Sequence, residues 1–322
     1  MSGAVDWPPL LPDPARSSAV LVSVGTFHAE GLDPLPQAHA AVDELADALA
    51  GAHGPLDWDR VIRISDPQSP GEVLGPLAAV AAGSEDLLLF YYAGHGVLDA
   101  GGRLHFALPG TEEQRAPSTA LPAAAVLELL AGPESRARHR LAWLDCCFAG
   151  RALDLPAAGD VNLLTAADRT RKALAPPAAR TTSFAAHLVE LLRDGVPDGP
   201  PHLDLPLIHR RIEVALGRVP DDMPNRRRIL APNPCHRITH TSADLALTRN
   251  AAHGTARSRE GLLARSRFAV QVAEADRPGR AAQAVQLFTA ILQDAEQALG
   301  PRDPDTQRVR EALRWAQHRA AG

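Results

Sequence analysis

Two short motifs place reactive side chains at the ends of apolar runs. In the first, His95 stands between two glycines after the run DLLLFYY (86–92), and in the second Cys146 and Cys147 follow Asp145. The glycines let other groups approach the imidazole closely. An unperturbed cysteine thiol has a pKa of about 8.5, and a nearby imidazole favours the nucleophilic thiolate. Since successive side chains alternate at a strand end, we expect one cysteine to face the core and the other the crevice. The two motifs therefore predict nucleophilic cysteine chemistry.

Strand-length apolar runs alternate with amphipathic stretches along the first 250 residues. We predict strands at 18–25, 60–64, 86–92, 140–145 and 161–165, an edge strand at 103–107, a last strand at 226–230, and helices at 37–50, 72–82, 121–130 and 182–192. This alternation is typical of a mostly parallel sheet with helices on its faces. Open α/β sheets hold their ligands just past the carboxyl ends of the strands, where both motifs are expected to lie.

The amino-acid composition restricts the classes of protein to which this chain can belong. The chain has 322 residues, of which 45% are hydrophobic and 22% charged, and its formal net charge is −5. Nothing in this balance favours a nucleic-acid partner. The apolar run at 87–93 is far shorter than the ~20 residues of a membrane helix, and residues 1–20 lack the features of a signal peptide. Three cysteines, two of them adjacent, are too few for a disulfide framework. We expect a cytoplasmic protein with no nucleic-acid or membrane partner.

The pattern changes beyond residue 250, where strand signals stop. We predict helices at 262–275, 281–299 and 305–320, with a turn at 277–279. The sequence around Arg265 repeats around Arg308, which indicates one and a half copies of a helix-pair repeat. So few copies cannot bury their apolar faces alone, so this segment should dock on the α/β unit or on another chain. The expected divisions are a Pro-rich lead-in at 1–15, an α/β domain at 16–250 and a helical segment at 255–322.

The sequences YYAGHG and DCCFAG together resemble the motif pair of caspase-like cysteine peptidases, and the aspartate before the cysteines resembles the metacaspase branch. A histidine about 50 residues before the cysteine is also the caspase arrangement. The resemblance covers about residues 15–250 and implies a caspase-type α/β fold. It implies a dyad of His95 and Cys147, an oxyanion hole from the backbone N–H groups of Gly96 and Cys147, and Cys146 as the buried cysteine.

The resemblance also implies a specificity. Asp145 matches the metacaspase aspartate that binds an Arg or Lys side chain before the scissile bond, and Asp43 matches a second such acid. A carboxylate is the physical complement of a guanidinium, so cleavage after Arg or Lys is expected and cleavage after Asp is disfavoured. The residues alone leave other interpretations open: Asp145 as the cap of a turn, Asp43 on a solvated helix face, and Cys147 as an ordinary core cysteine.

Several positions depart from the metacaspase pattern. Ala93 stands where a pocket serine is common, Phe148 and Ala149 replace the usual His and Ser, and Thr111 lies where calcium-dependent relatives carry an acid. No cofactor and no metal site are expected, and calcium activation is left open. The basic, Pro-rich loop at 168–180 is the predicted place of self-cleavage.

The C-terminal stretch AVQLFTAILQDAEQALG followed by PRDPDTQRVREALRWA resembles tetratricopeptide repeats of the kinesin-light-chain type. Such repeats bind peptides or other repeats, which implies a protein partner at these helices. Two functions follow. The first is a cysteine endopeptidase acting on a protein or peptide substrate, for which the family suggests a role in bacterial defence or regulated cell death. The second is a catalytically silent scaffold of the same fold that docks partners through the helical repeats.

Overall fold

The computed structural model describes residues 11–51, 54–217, 232–242, 245–275 and 279–321. Its strands are, in chain order, β1 (Ser18–Ser23), β2 (Val61–Ser65), β3 (Leu87–Ala93), β4 (Gly96–Leu98), β5 (Leu104–Phe106), β6 (Leu121–Pro122), β7 (His139–Asp145), β8 (Asn162–Thr165), β9 (His202–Asp204), β10 (Cys235–Arg237) and β11 (Ala246–Arg249). The helices are α1 (Gln37–Leu49), α2 (Gly71–Gly83), α3 (Ala116–Thr119), α4 (Ala123–Ala131), α5 (Ser183–Asp194), α6 (Leu205–Leu216), α7 (Arg259–Glu274), α8 (Arg280–Ala298) and α9 (Pro304–Ala321).

A central sheet of six strands has the order β10-β8-β7-β3-β1-β2, and its pairs are parallel except for β10 against β8 at one edge. Strand β3 is buried throughout because helices cover both faces of the sheet. Its side chains alternate between two cores. Leu89 packs with Leu45 of α1 and Phe184 of α5, whereas Phe90 packs with Leu77 of α2 and Leu127 of α4. The predicted mostly parallel sheet with helices on both faces is confirmed.

Parts of the fold differ from the sequence-based prediction, and one predicted strand is not tested. The strand expected at the edge near 103–107 is β5, which is the middle strand of a separate antiparallel sheet, β4-β5-β6. Helix α6 was not predicted, although Asp204 caps it by accepting a hydrogen bond from the Leu207 N–H at 2.7 Å. The strand predicted at 226–230 lies outside the described residues, and the edge position of the sheet is taken by β10.

The C-terminal helices α7, α8 and α9 share an apolar core that also takes in Val214 of α6. Contacts of Arg211 lie beside this interface between α6 and the C-terminal helices. The guanidinium carbon of Arg211 on α6 lies 3.6 Å from the ring centroid of Phe268 on α7, and its Nη2 donates to Asp198 at 3.0 Å. The C-terminal helices therefore contact the α/β unit through α6. Within the described part of the chain, no helix combines the length and apolar character needed to cross a membrane.

Candidate active site

The parallel pairing of β3 with β7 brings the two sequence motifs together. Ala93 at the end of β3 is paired with Asp145 at the end of β7, so His95 and Cys147 each lie two residues beyond a paired position. Adjacent strands are about 4.8 Å apart. The two loops also contact directly, because the Gly94 N–H donates to the Asp145 carbonyl oxygen at 3.3 Å. His95 and Cys147 therefore leave the same edge of the sheet from neighbouring strands.

Gly96 lies against the backbone of Cys147. A Cβ atom at position 96 would come within 2.1 Å of the Cys147 carbonyl oxygen and 3.1 Å of the Cys146 Sγ. No real Cβ approaches a backbone oxygen so closely, so this position requires glycine for space. The two residues whose N–H groups were predicted to form an oxyanion hole thus have adjoining backbones.

His95 is held in one orientation by its surroundings. Its Nε2 lies 2.8 Å from the Asp33 carbonyl oxygen, and its ring is 4.8 Å from the Phe27 ring, centroid to centroid. Since a carbonyl oxygen only accepts, Nε2 carries the proton and Nδ1 is left as the basic nitrogen. The backbone is fixed as well, because the Ala107 N–H and the Tyr92 hydroxyl donate to the His95 carbonyl oxygen at 2.9 and 3.1 Å. Sequence reasoning missed Asp33 because a backbone carbonyl gives no residue-type signal.

The two adjacent cysteines have different environments. Cys146 is buried in the core beneath the sheet edge, whereas Cys147 is half-buried. Burial raises the pKa of the Cys147 thiol, and the hydrogen bond from the Ala173 N–H and the charge of Lys172 offset part of that rise. The next residue, Phe148, has φ 59°, in the left-handed region that a bulky side chain rarely occupies. Backbone strain of this kind often marks functional turns.

Asp145 is buried, with only 2% of its surface exposed. Its Oδ2 accepts hydrogen bonds from the Tyr91 hydroxyl at 2.9 Å and from the Thr182 hydroxyl. Burial raises the pKa of Asp145 to about 6, although both hydrogen bonds act to lower it. Thr182 also caps α5, because its Oγ1 accepts from the Ala185 N–H at 3.2 Å. Asp145 therefore connects the end of β7 to the start of α5, two partners that the sequence did not reveal.

The structure does not bring Asp43 to Asp145. Asp43 lies on the solvent side of α1, and its carboxylate is paired with Arg63 of the edge strand β2 at 3.0 Å. Its side chain is 64% exposed. Strand β2 is three strands away from β7, or about 14 Å across the sheet. Of the two predicted specificity carboxylates, only Asp145 lies next to His95 and Cys147.

A Ser–His–Asp array that the sequence did not indicate lies at the same edge of the sheet. The Ser23 hydroxyl is 2.9 Å from His39 Nδ1, and His39 Nε2 is 3.3 Å from Asp66 Oδ2. Ser23 is completely buried, so its hydroxyl cannot reach a substrate. The array instead joins the end of β1 to α1 and β2, and it is not a second nucleophilic site.

The position considered for calcium has a structural role. Thr111 is buried; its hydroxyl accepts from the Leu108 N–H at 2.7 Å and donates to the Thr119 carbonyl oxygen at 3.0 Å. It therefore closes a turn. Among the described residues, no group of three or more His, Cys, Asp or Glu side chains is arranged to hold a metal ion.

Comparison with known proteins identifies the fold. Among the solved structures that match is the crystal structure of caspase-1 from Spodoptera frugiperda, with a TM-score of 0.53 and 14% sequence identity, covering 74% of this chain and 92% of that chain. No family model matches the chain, and no curated protein matches it. At this level of identity the likeness shows the fold alone, and the chain has a caspase-like fold.

Proposed function

We propose that this protein is a cysteine endopeptidase of caspase or metacaspase type that uses Cys147 as nucleophile and His95 as general base. The observation that carries the proposal is the register of β3 and β7, which sets His95 and Cys147 side by side at one edge of the sheet. The Asp33 carbonyl supports it, because it fixes the proton on Nε2 of His95 and leaves Nδ1 free to accept one.

In the proposed reaction, the Cys147 thiol gives its proton to His95 and the thiolate attacks the carbonyl carbon of the scissile bond. The backbone N–H groups of Gly96 and Cys147 hold the oxyanion, and His95 then protonates the leaving amine. Water hydrolyses the resulting thioester and frees the thiol. A general base is needed because burial raises the pKa of the Cys147 thiol and so disfavours the thiolate.

The proposed specificity is cleavage after Arg or Lys, with Asp145 as the carboxylate that binds the side chain. The hydroxyls of Tyr91 and Thr182 both donate to Oδ2 of Asp145. Among the described residues, none donates a hydrogen bond to Oδ1. An incoming guanidinium would pair with that second oxygen. Asp43 stays a prediction for a second contact, and this proposal does not depend on it. From the family resemblance we also propose a cytoplasmic role in bacterial defence or regulated cell death.

A silent scaffold is the second candidate, and the surroundings of Asp145 favour it. A buried carboxylate that connects β7 to the cap of α5 has a sufficient structural reason to be present without any substrate. The helical segment would then be the functional part, as a surface for protein partners.

The decisive experiment is hydrolysis of matched fluorogenic peptides ending in Arg, Lys or Asp, with and without calcium. The wild-type chain is compared with Cys147→Ala and His95→Ala, and Cys235→Ala is the matched control. We expect cleavage after Arg and Lys that requires Cys147 and His95 but not Cys235. Cleavage after Asp would contradict the role of Asp145 and keep the dyad. If no peptide is cleaved and His95→Ala leaves the alkylation rate of Cys147 at pH 6 unchanged, the scaffold is favoured.

A further inference from the structure

A cavity outside the candidate active site lies where the C-terminal helices meet the α/β unit. Helix α6 packs against both α5 and α7, and the cavity takes its walls from these three helices and from the loop after α5. Its volume is about 250 Å³, which is room for about eight waters at ~30 Å³ each. Its lining on α5 begins at His187, about 8 Å along the helix from the Thr182 cap. The cavity is therefore separate from the crevice at Cys147.

Three arginines line this cavity, and two of them are largely buried. The side chain of Arg265 is 8% exposed and that of Arg211 is 14% exposed, whereas Arg267 is an exposed residue. The carboxylates in the lining are those of Glu190 and Asp198. Guanidinium groups therefore outnumber carboxylates in the lining by three to two.

The buried guanidinium of Arg265 has donors that nothing in its surroundings accepts. Its Nη1 donates to Asp294 Oδ2 at 2.8 Å and to the Ala256 carbonyl oxygen at 2.9 Å. Its Nε lies 3.8 Å from Asp198 Oδ2, too far for a hydrogen bond, because the other oxygen of that carboxylate is bonded to Arg211 at 3.0 Å. Among the described residues, neither Nε nor Nη2 of Arg265 has a hydrogen-bond acceptor. An acceptor supplied from the cavity is therefore missing from this group.

Arg267 adds a charge that is not paired. The nearby carboxylate of Glu190 lies 3.6 Å from His187 Nδ1. The hydrogen bond from His187 is the largest cause of the lowered pKa of Glu190, and the charge of Arg267 lowers that pKa only from a distance. Within the part of the chain that the structure describes, Arg267 forms no ion pair of its own. An anion in the cavity would therefore have a free guanidinium to pair with.

The rest of the wall is apolar, which favours a ligand with an apolar body as well as a charge. The apolar lining includes Leu191, Val196, Ala215 and Phe268. We propose that this cavity binds a small organic anion, whose carboxylate or phosphate group lies beside Arg265 and Arg267 and whose apolar body packs against Phe268. Such a ligand would contact α5 and α6 of the α/β unit together with α7 of the C-terminal helices.

The test is a ligand-observed NMR titration of the full chain with four small probes. Phenyl phosphate and benzoate combine an aromatic ring with an anionic group, benzyl alcohol has the ring without the charge, and inorganic phosphate has the charge without the ring. We expect phenyl phosphate or benzoate to bind with a Kd of about 1 mM or tighter, and the other two probes to bind about tenfold more weakly or not at all. The preference between the two aromatic anions shows whether the site takes phosphate or carboxylate.

Three variants place the binding in this cavity. Arg267→Ala should weaken binding of the preferred anion about tenfold, because it removes one charge-assisted contact, and it should fold normally because Arg267 is exposed. Arg314→Ala is the matched control, because Arg314 is an exposed helical arginine outside the cavity, and its binding should equal that of wild type. Ala215→Phe fills the cavity without changing its charge and should abolish binding.

Three results would overturn the inference: no saturable binding of either aromatic anion, equal binding of benzyl alcohol or inorganic phosphate, or binding that Arg267→Ala and Ala215→Phe leave unchanged. The outcome is independent of the proposed peptidase function, because the cavity contains neither His95 nor Cys147. Arg267→Ala should accordingly cleave peptides as the wild-type chain does.

Discussion

Replacing Asp145 with Asn tests whether this buried carboxylate is desolvated as the structure requires. Burial raises the pKa of Asp145 from 3.8 to about 6. The Asp145→Asn variant keeps the shape of the side chain and one oxygen that can accept from Tyr91 and Thr182, and it removes the charge. The comparison with wild type therefore isolates the free energy of ionising this side chain inside the fold.

The sign and size of the pH effect on stability follow from the linkage between folding and the protonation of Asp145. The folded chain binds the Asp145 proton more tightly than the unfolded chain does. The stability that the protonated side chain contributes is therefore fully present below the unfolded pKa, and it is lost as pH rises through about 6. With those two pKa values, the buried carboxylate costs about 1 kcal/mol at pH 4.5 and about 3 kcal/mol at pH 7.5. The stability of Asp145→Asn relative to wild type should therefore improve by about 2 kcal/mol between these pH values.

The assay is urea unfolding of both proteins at pH 4.5 and pH 7.5 at one ionic strength. Asp43→Asn is the matched control, because its carboxylate is exposed and its pair with Arg63 is screened by solvent. If the difference in unfolding free energy between wild type and Asp145→Asn is the same at both pH values, the reasoning is refuted. Ionisation of Asp145 should also govern binding of the substrate's Arg side chain. We therefore expect kcat/KM for Arg peptides to rise as pH rises through about 6, and cleavage of these peptides to be lost in Asp145→Asn.

Two further substitutions test the geometry around His95 and Cys147. Gly96→Ala should abolish hydrolysis and lower stability by about 2 kcal/mol, because its Cβ would meet the Cys147 carbonyl oxygen at 2.1 Å; thermal unfolding and peptide cleavage measure both effects. The control is Gly110→Ala, because a Cβ at position 110 would meet nothing within 4 Å. If the two variants had the same stability and the same activity, the close approach of Gly96 to the Cys147 backbone would be contradicted. Thr182→Val should cost about 2–3 kcal/mol in chemical unfolding, since it removes both the cap of α5 and a donor to Asp145, whereas Thr182→Ser should retain most of that stability.

The parallel sheet could be predicted from the sequence because its strands are short apolar runs separated by helical stretches. The runs at 86–92 and 140–145 correspond to β3 and β7 within one residue at each end. Both are buried on two faces, so their composition alone identifies them. Helix α6 also has a start signal in the sequence, in the cap at Asp204 and the proline that follows it.

The candidate site was predictable only as far as side-chain types reveal it. His95 and Cys147 stand out because glycines and strand ends surround them. The Asp33 carbonyl and the hydroxyls of Tyr91 and Thr182 could not be inferred, because they reach the site through tertiary packing from distant parts of the chain. The division of the chain near residue 250 and the repeat character of its last helices stay predictions.

The register of β3 and β7 has a consequence for how this site can vary in evolution. The two strands are seven residues long and end at the paired positions Ala93 and Asp145, so the meeting of the two loops depends on strand length. A one-residue deletion inside either strand would turn its loop to the other face of the sheet. Insertions or deletions between residues 107 and 120, by contrast, would leave both strand ends in place. This connection can therefore diverge in length while the ends of β3 and β7 stay paired.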